Sequence, residues 1–215
     1  MICMRKQFWN EEKTNESMAV LNSLKRSVDF VLIGGWAVYM YTNAQKSEDV
    51  DIALDYSQLG FFKKYGVGEY ERMRIKYSKI GNVVVDLFIP EFTDSDLPVP
   101  VSVILRDCVL VNGIKVVRKE LLLLLKLWAY FGNDAIKLRK DEIDVATLLF
   151  YTDINLKAFK RYIDEYKITR RRSSDVLLEY LDKARTSYEF ICESEREYDR
   201  LHSLYKKEIR ELFEY

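Results

Sequence analysis

The feature that most constrains this chain is a double glycine between a short apolar segment and the start of a helical pattern. Residues 31–33 have the character of a buried strand, Gly34 and Gly35 follow directly, and residues 36–41 begin a helix. Glycine adopts turn conformations that other residues avoid, and the first N–H groups of a helix have no partner within the helix. A strand, glycine turn and helix in this order can therefore hold a phosphate, and we predict an anion site at Gly34 and Gly35.

Two aspartates follow this helix on the next predicted strand. Asp49 and Asp51 are two residues apart, so their side chains point to the same face of that strand. Neighbouring carboxylates repel each other unless a cation lies between them, and oxygen ligands favour a hard ion such as Mg²⁺ or Mn²⁺. Asp49 and Asp51 are thus candidate metal ligands. A solvated strand face is the alternative, since 34 of the 215 residues are acidic.

A third aspartate, Asp86, interrupts the otherwise apolar segment 82–89. A charge in such a strand is costly unless it has a partner or a function. Residues 70–78 and 82–89 alternate like neighbouring strands of a hairpin, and this pairing would bring Asp86 to the face of the two other aspartates. We expect Asp86 to complete the site, and the alternative is a buried acid that is stabilised by other contacts.

The ordered combination of strand, Gly-Gly, helix and Ser-x-Asp-apolar-Asp resembles the core motif of the nucleotidyltransferase superfamily, which includes DNA polymerase beta and the aminoglycoside nucleotidyltransferases. The resemblance implies that Asp49 and Asp51 hold catalytic Mg²⁺ or Mn²⁺ and that Asp86 is the third catalytic carboxylate, as a ligand or as a general base. It also implies that Gly34 and Gly35 lie against a nucleoside triphosphate. Many members have Gly-Ser at this turn, and this chain lacks that serine hydroxyl.

A second local pattern narrows the resemblance. Residues 121–129 and 139–144 are similar to the K-x-x-A and R-x-K-D-x-x-D segments of the AbiEii-type toxin nucleotidyltransferases. On this resemblance Lys126 approaches the nucleotide phosphates, and Asp141 orients Lys126 or contacts the acceptor. A salt bridge between the two that stabilises helix packing is the alternative.

Two residues before the paired aspartates complete the predicted nucleotide-binding set. Several relatives carry a basic residue at the position of Lys46, where it would face a phosphate; a solvated lysine is the alternative. Ser47 either contributes a hydroxyl to the nucleotide or caps the turn before the strand.

Composition excludes several classes of function. Basic and acidic residues are balanced, 34 of each, so the chain lacks the overall positive field of a dedicated nucleic-acid-binding protein. No apolar run is long enough for a membrane span, and the first residues lack the apolar region of a secretory signal, so we expect a cytoplasmic protein. Three scattered cysteines and a single histidine, His202, argue against a zinc site and a Ser-His-Asp mechanism.

The order of elements predicts an α+β fold with a mixed, mostly antiparallel sheet flanked by helices and followed by a C-terminal helical layer. We assign residues 1–117 to the nucleotidyltransferase core and 118–215 to the helical region. Within the core, residues 101–105 have strand character, and residues 108–117 predict a hairpin with a type I′ turn at Asn-Gly. Arg170–Arg172 is either a surface loop or a guide for a phosphate backbone.

The resemblance implies an enzyme that transfers a nucleoside monophosphate from a nucleoside triphosphate to a hydroxyl of tRNA, a protein or a small molecule. Members of the toxin-like subgroup commonly act beside an antitoxin, so such a partner is a further expectation. The alternatives are a nucleotide- or nucleic-acid-binding module that kept the fold without turnover, and a helical interaction protein. The last leaves the acidic residues within apolar strands unexplained.

Overall fold

The computed structural model describes residues 10–71, 74–129, 135–168 and 173–213. The chain divides into two compact units, one that ends at Arg118 and one that begins at Lys119. The first unit contains the sheet with its helices, and the second is helical. The predicted α+β fold is therefore confirmed.

The first unit is built on a sheet for which the described residues provide seven strands. These are β1 (Val31–Leu32), β2 (Val50–Ala53), β3 (Val67–Tyr70), β4 (Ile75–Ile80), β5 (Val83–Phe88), β6 (Cys108–Val111) and β7 (Ile114–Val117). Their order across the sheet is β3-β4-β5-β2-β1-β7-β6. The β1–β7 and β2–β5 pairs are parallel and the other pairs are antiparallel, so the sheet is mixed and mostly antiparallel, as predicted.

The two faces of the central strands differ in burial. Ile52, Val85 and Ser78 point to one face and are fully buried. Asp86 and Tyr77 point to the other face and are only half-buried. Because side chains alternate along a strand, the covered face forms the core of the unit and the open face remains available for a site.

The helices of the first unit are α1 (Glu11–Leu24), α2 (Gly34–Thr42) and α3 (Val101–Arg106), with a 3-10 segment at Tyr56–Tyr65. Helix α1 begins at Asn10, whose side-chain oxygen accepts hydrogen bonds from the N–H groups of Glu12 and Lys13. Helix α2 lies between β1 and β2 in the chain and contacts β2 and β7. It therefore connects the glycine turn to the strand that carries Asp51.

Two local predictions were wrong. Residues 101–105 form α3 instead of a strand, because Asp94 caps Val101 N with a 2.8 Å hydrogen bond and a helix buries Val101 and Ile104 together. Tertiary burial here overrides the strand propensity of β-branched residues. Residues 70–78 are divided between β3 and β4, since Tyr70 pairs with Ile75 where a hairpin closes.

The β6–β7 hairpin confirms the prediction from its Asn-Gly pair. Asn112 has a φ of 49° and Gly113 a φ of 74°. A type I′ turn needs positive φ at both central residues, and asparagine and glycine tolerate that conformation best.

The second unit consists of five described helices. They are α4 (Lys119–Ala129), α5 (Ala135–Tyr151), α6 (Leu156–Glu165), α7 (Ser173–Ala184) and α8 (Glu195–Phe213). Residues 121–124 are nearly or fully buried leucines, so α4 is covered on most sides, as its apolar run predicts. No helix in the described part of the chain has the length and apolar character to span a membrane. Arg170–Arg172 lies outside the described residues.

Candidate functional site

Two of the predicted catalytic carboxylates stand next to each other on the open face of the sheet. Strands β2 and β5 are parallel neighbours, and Asp51 is the register partner of Asp86. Register partners on adjacent strands point to the same face, and the strands are about 4.8 Å apart. The predicted hairpin is formed by β4 and β5, and β5 is also the direct neighbour of β2, so Asp86 lies on the face of Asp51 as expected.

Asp49 is exposed and lies one residue before β2 begins. In the described residues, no group of three or more His, Cys, Asp or Glu side chains is arranged to hold a metal ion. The structure therefore brings Asp51 and Asp86 together and does not join Asp49 to them in a three-carboxylate cluster.

The negative charges on this face affect the pKa of Tyr70. Its pKa is raised above the ordinary value first by burial and then by the negative charges of Asp86 and Asp49, with a contribution from Tyr77. The Tyr70 hydroxyl consequently lies within electrostatic reach of both carboxylates.

Gly34 begins α2 directly against Asp51. Its φ is +65°, and a Cβ at this position would overlap the Asp51 carboxylate and lie 2.8 Å from Asp51 Cβ. The N–H of Ile33 donates a 3.0 Å hydrogen bond to Asp51 O, which joins the turn to β2. Glycine is needed here both for its backbone conformation and for its lack of a side chain. The predicted phosphate turn and the predicted metal-binding strand are thus in contact.

The cap position of α2 is occupied by an isoleucine. Ile33 occupies the cap position without a capping hydrogen bond, and the first turn contains no acidic residue. Gly35 is buried within this turn. N–H groups at a helix start attract an anion, but an anion bound here would meet the negative charge of Asp51. A cation between the two would remove this repulsion.

The donor set fits a divalent cation of the Mg²⁺ type. Asp51 and Asp86 provide carboxylate oxygens on one face, and the lack of a side chain at Gly34 lets the Asp51 carboxylate lie against the start of α2. Mg²⁺ is usually held by one or two carboxylates together with substrate phosphates and water, so a complete protein cage is not required.

Buried side chains of α1 and α2 fix the segment that leads into the aspartates. Ser17 Oγ donates a 2.6 Å hydrogen bond to Ser47 O, and Trp36 Nε1 donates a 3.1 Å hydrogen bond to Ser17 Oγ. Ser17 and Trp36 are fully buried and Ser47 is nearly so. Lys46, next to Ser47, is half-buried. Nucleotide contacts by Lys46 and Ser47 stay a prediction, while the backbone of Ser47 has a structural role.

Sequence reasoning did not select Ser17, although a signal was present. Thr14, Ser17, Leu21 and Leu24 recur at helical spacing on α1 and are all buried. Two hydroxyl residues on the buried face of a helix require hydrogen-bond partners, which indicates a polar contact across the core.

Sequence reasoning also missed two tyrosines, one that is the strand neighbour of Asp86 and one that stacks on the first. Tyr77 is the register partner of Asp86 on one side and of Gly68 on the other. A Cβ at Gly68 would overlap the Tyr77 ring, so this ring lies across the glycine. Tyr70 stacks on Tyr77 with ring centroids 4.4 Å apart and 25° between the planes. Gly68, Tyr77, Asp86 and Asp51 therefore form one row across four strands.

Comparison with known proteins bears on the fold alone. No protein-family model and no curated protein matches this chain. Its fold is similar to that of JHP933 from Helicobacter pylori. The superposition has a TM-score of 0.54 at 15% sequence identity and covers 94% of this chain and 95% of JHP933. At this identity the similarity shows a shared architecture over nearly the whole chain and says nothing about activity.

Lys126 and Asp141 lie in the helical unit and form a buried ion pair. Lys126 Nζ is 2.9 Å from Asp141 Oδ1 and 2.8 Å from Asp144 Oδ2. Burial lowers the pKa of Lys126, but the carboxylates of Asp141 and Asp144 outweigh burial and raise it. Burial also raises the pKa of Asp144 against the opposing effect of Lys126. The salt bridge that was the alternative reading of these residues is formed, and their contact with a nucleotide stays a prediction.

Proposed function

We propose that this protein is a metal-dependent nucleotidyltransferase that transfers a nucleoside monophosphate from a nucleoside triphosphate to an acceptor hydroxyl. The observation that carries the proposal is the contact of Gly34 with Asp51, next to Asp86 in register. It puts a helix N-terminus beside a carboxylate pair. Phosphoryl transfer needs such an arrangement, because catalysis depends on positioning the phosphates and neutralising their charge.

The position of each group across the sheet suggests its role in the reaction. We expect the first N–H groups of α2 to receive the phosphates, while Gly34 leaves room for the Asp51 carboxylate beside them. Asp51 and Asp86, with Asp49, would hold the Mg²⁺ or Mn²⁺, which would neutralise charge on the attacking and leaving oxygens. Asp86 lies on the side of Asp51 away from the glycine turn, and on this proposal that side receives the acceptor.

The reaction balances with these groups. The acceptor oxygen forms a bond to the α-phosphorus, the bond from that phosphorus to the bridging oxygen breaks, and pyrophosphate leaves. The Asp86 carboxylate takes the proton of the acceptor hydroxyl. The resemblance adds tRNA, a protein or a small molecule as acceptor and an antitoxin as a partner. The cytoplasmic location expected from the composition stays a prediction.

The experiment is incubation of the protein with each α-labelled nucleoside triphosphate and Mg²⁺ or Mn²⁺, with and without total tRNA. We expect label to move onto RNA or protein with the wild type. Asp51→Asn and Asp86→Asn should each lower the rate at least about 100-fold, since each removes a carboxylate from the charge-neutralising site.

Asp29→Asn is the matched control, because Asp29 is an exposed carboxylate of the same unit whose contact is a surface ion pair with Lys115. It should transfer label at close to the wild-type rate. Equal transfer by Asp51→Asn and the wild type would contradict the proposal.

A binding module without turnover is the second candidate. It is favoured by the lack of a three-carboxylate cluster in the residues that the structure describes. This candidate predicts metal-dependent binding of nucleoside triphosphates with no release of pyrophosphate, whereas the transferase releases one pyrophosphate for each label transferred.

A further inference from the structure

We propose that Tyr70 and Tyr77 form a stacking platform that binds the terminal nucleobase of a single-stranded nucleic-acid acceptor beside Asp86. The inference rests on the proposed function for the role of Asp86, and it names the class of acceptor at that same site. Three observations support it: the position of the two rings in the sheet, the contacts that hold them, and the charged residue beside them.

The tyrosines lie on the side of the sheet where the proposal puts the acceptor. Gly34, at the phosphate turn, follows β1, and the sheet continues through β2 and β5 to β4 and β3. Along this order come Asp51, Asp86 and then Tyr77. The tyrosines are thus separated from the phosphate turn by both carboxylates. Tyr77 is itself the register neighbour of Asp86, while the end of its ring lies over Gly68 on the opposite side. A base on these rings lies at the end of the row that starts with Asp51 and Asp86.

The two rings are held as a rigid, accessible stack. Tyr77 lies across Gly68, where any other residue would overlap the ring, and Tyr70 stacks against Tyr77. Both side chains are half-buried, so part of each ring faces solvent on the open side of the sheet. Bases stack on exposed aromatic side chains in proteins that bind single-stranded nucleic acids, because every base has a planar π-face.

The polar surroundings suit a nucleotide more than an apolar ring. The phenol groups of Tyr70 and Tyr77 can each donate a hydrogen bond to a polar group of a bound nucleotide. Lys79 is exposed and lies two residues beyond Tyr77, on the same face of β4. A cation about 7 Å along the strand from the stacked base can meet a phosphate of the incoming chain.

The test measures binding apart from transfer. Two fluorescein-labelled single-stranded RNA hexamers, one that ends in a normal nucleoside and one that ends in an abasic ribose, are titrated with protein and Mg²⁺ in the absence of nucleotide. We expect the wild type to bind the base-ended RNA about 5- to 150-fold more tightly than the abasic RNA. Tyr70→Leu and Tyr77→Leu should lose this preference, and Tyr70→Phe and Tyr77→Phe should keep most of it.

Tyr56→Leu is the matched control. Tyr56 is an exposed tyrosine of the same unit, so its loss removes an aromatic side chain without touching the platform. It should retain the full preference for the base-ended RNA. Thermal denaturation of every variant separates loss of binding from loss of folding.

Equal affinity of the wild type for the two RNAs overturns the platform. So does an unchanged preference in both leucine variants, or a similar loss in Tyr56→Leu. Failure of the proposed transferase shows separately, as absent label transfer while the preference for the base-ended RNA persists. Label transfer to a protein or a small molecule, without RNA binding, would overturn the platform and leave the transferase standing.

Discussion

At the scale of single residues, the features predicted from the sequence are those whose chemistry is visible in the local pattern. Gly34, Asp51 and Asp86 interrupt apolar segments, so each is conspicuous in the sequence alone. Tyr77 is not, because a tyrosine in a strand is ordinary. Its place beside Asp86 follows from strand pairing, which the sequence does not state locally.

Gly34→Ala tests the contact on which the proposed site depends. We expect this variant to lose metal-dependent binding of a triphosphate, because the new Cβ would overlap the Asp51 carboxylate and displace it. The backbone alone adds a cost of about 1–2 kcal/mol, since alanine is strained at positive φ. Denaturation by urea and calorimetric titration with inorganic triphosphate and Mg²⁺ measure the two effects.

Gly81→Ala is the control for backbone strain. Gly81 has nearly the same φ, +63°, and its Cβ would meet open space. This variant should show the loss of stability and keep the binding. If Gly34→Ala bound triphosphate as well as Gly81→Ala does, the contact between turn and carboxylate would have no functional role.

At the scale of elements, hydrophobic pattern predicted most helices and strands, and failed where tertiary contacts decide. Helix α3 was predicted as a strand because Val101 and its neighbours have high strand propensity, while the cap from Asp94 is a contact seven residues away. The hydrogen bonds from Trp36 to Ser17 and from Ser17 to Ser47 likewise join three segments. Local propensity carries no information about such pairings.

The packing of α4 against α5 yields a prediction on stability. Lys126→Met should lower the free energy of unfolding by about 3–5 kcal/mol at neutral pH, because it removes the cation that contacts both buried carboxylates, Asp141 and Asp144. Lys183→Met is the control: it removes an exposed ion pair with Glu179 and should cost at most about 1 kcal/mol.

The loss in Lys126→Met should also depend on pH. The pKa of Asp144 is already raised by burial, and removal of Lys126 takes away the main opposing charge. A carboxyl whose pKa is raised on folding favours the folded state below its unfolded pKa, and this contribution is lost as pH rises through the folded pKa. Urea denaturation should therefore show a smaller loss at pH 4 than at pH 8. A loss of equal size at both pH values would contradict this account of the triad.

At the scale of the whole molecule, the α+β class and the mixed sheet followed from the order of the patterns along the chain. A glycine turn, alternating strands and a stretch without proline or glycine from residue 141 to 215 leave few arrangements in which every apolar face is buried. The similarity to JHP933 extends over both units and agrees with this architecture. Gly68, Tyr77, Asp86 and Asp51 lie in one row because of the order of their strands in the sheet. The sequence pattern therefore predicted the two carboxylates but did not predict which residues lie beside them.

The central claim is that Gly34, Asp51 and Asp86 form one metal-dependent phosphate site. Calorimetric titration of the wild type and of Asp51→Asn with inorganic triphosphate, in the presence and absence of Mg²⁺, tests it without assuming a base or an acceptor. The account predicts binding by the wild type that requires Mg²⁺ and is lost in Asp51→Asn. Binding that is independent of Mg²⁺, or equal in Asp51→Asn, would contradict it.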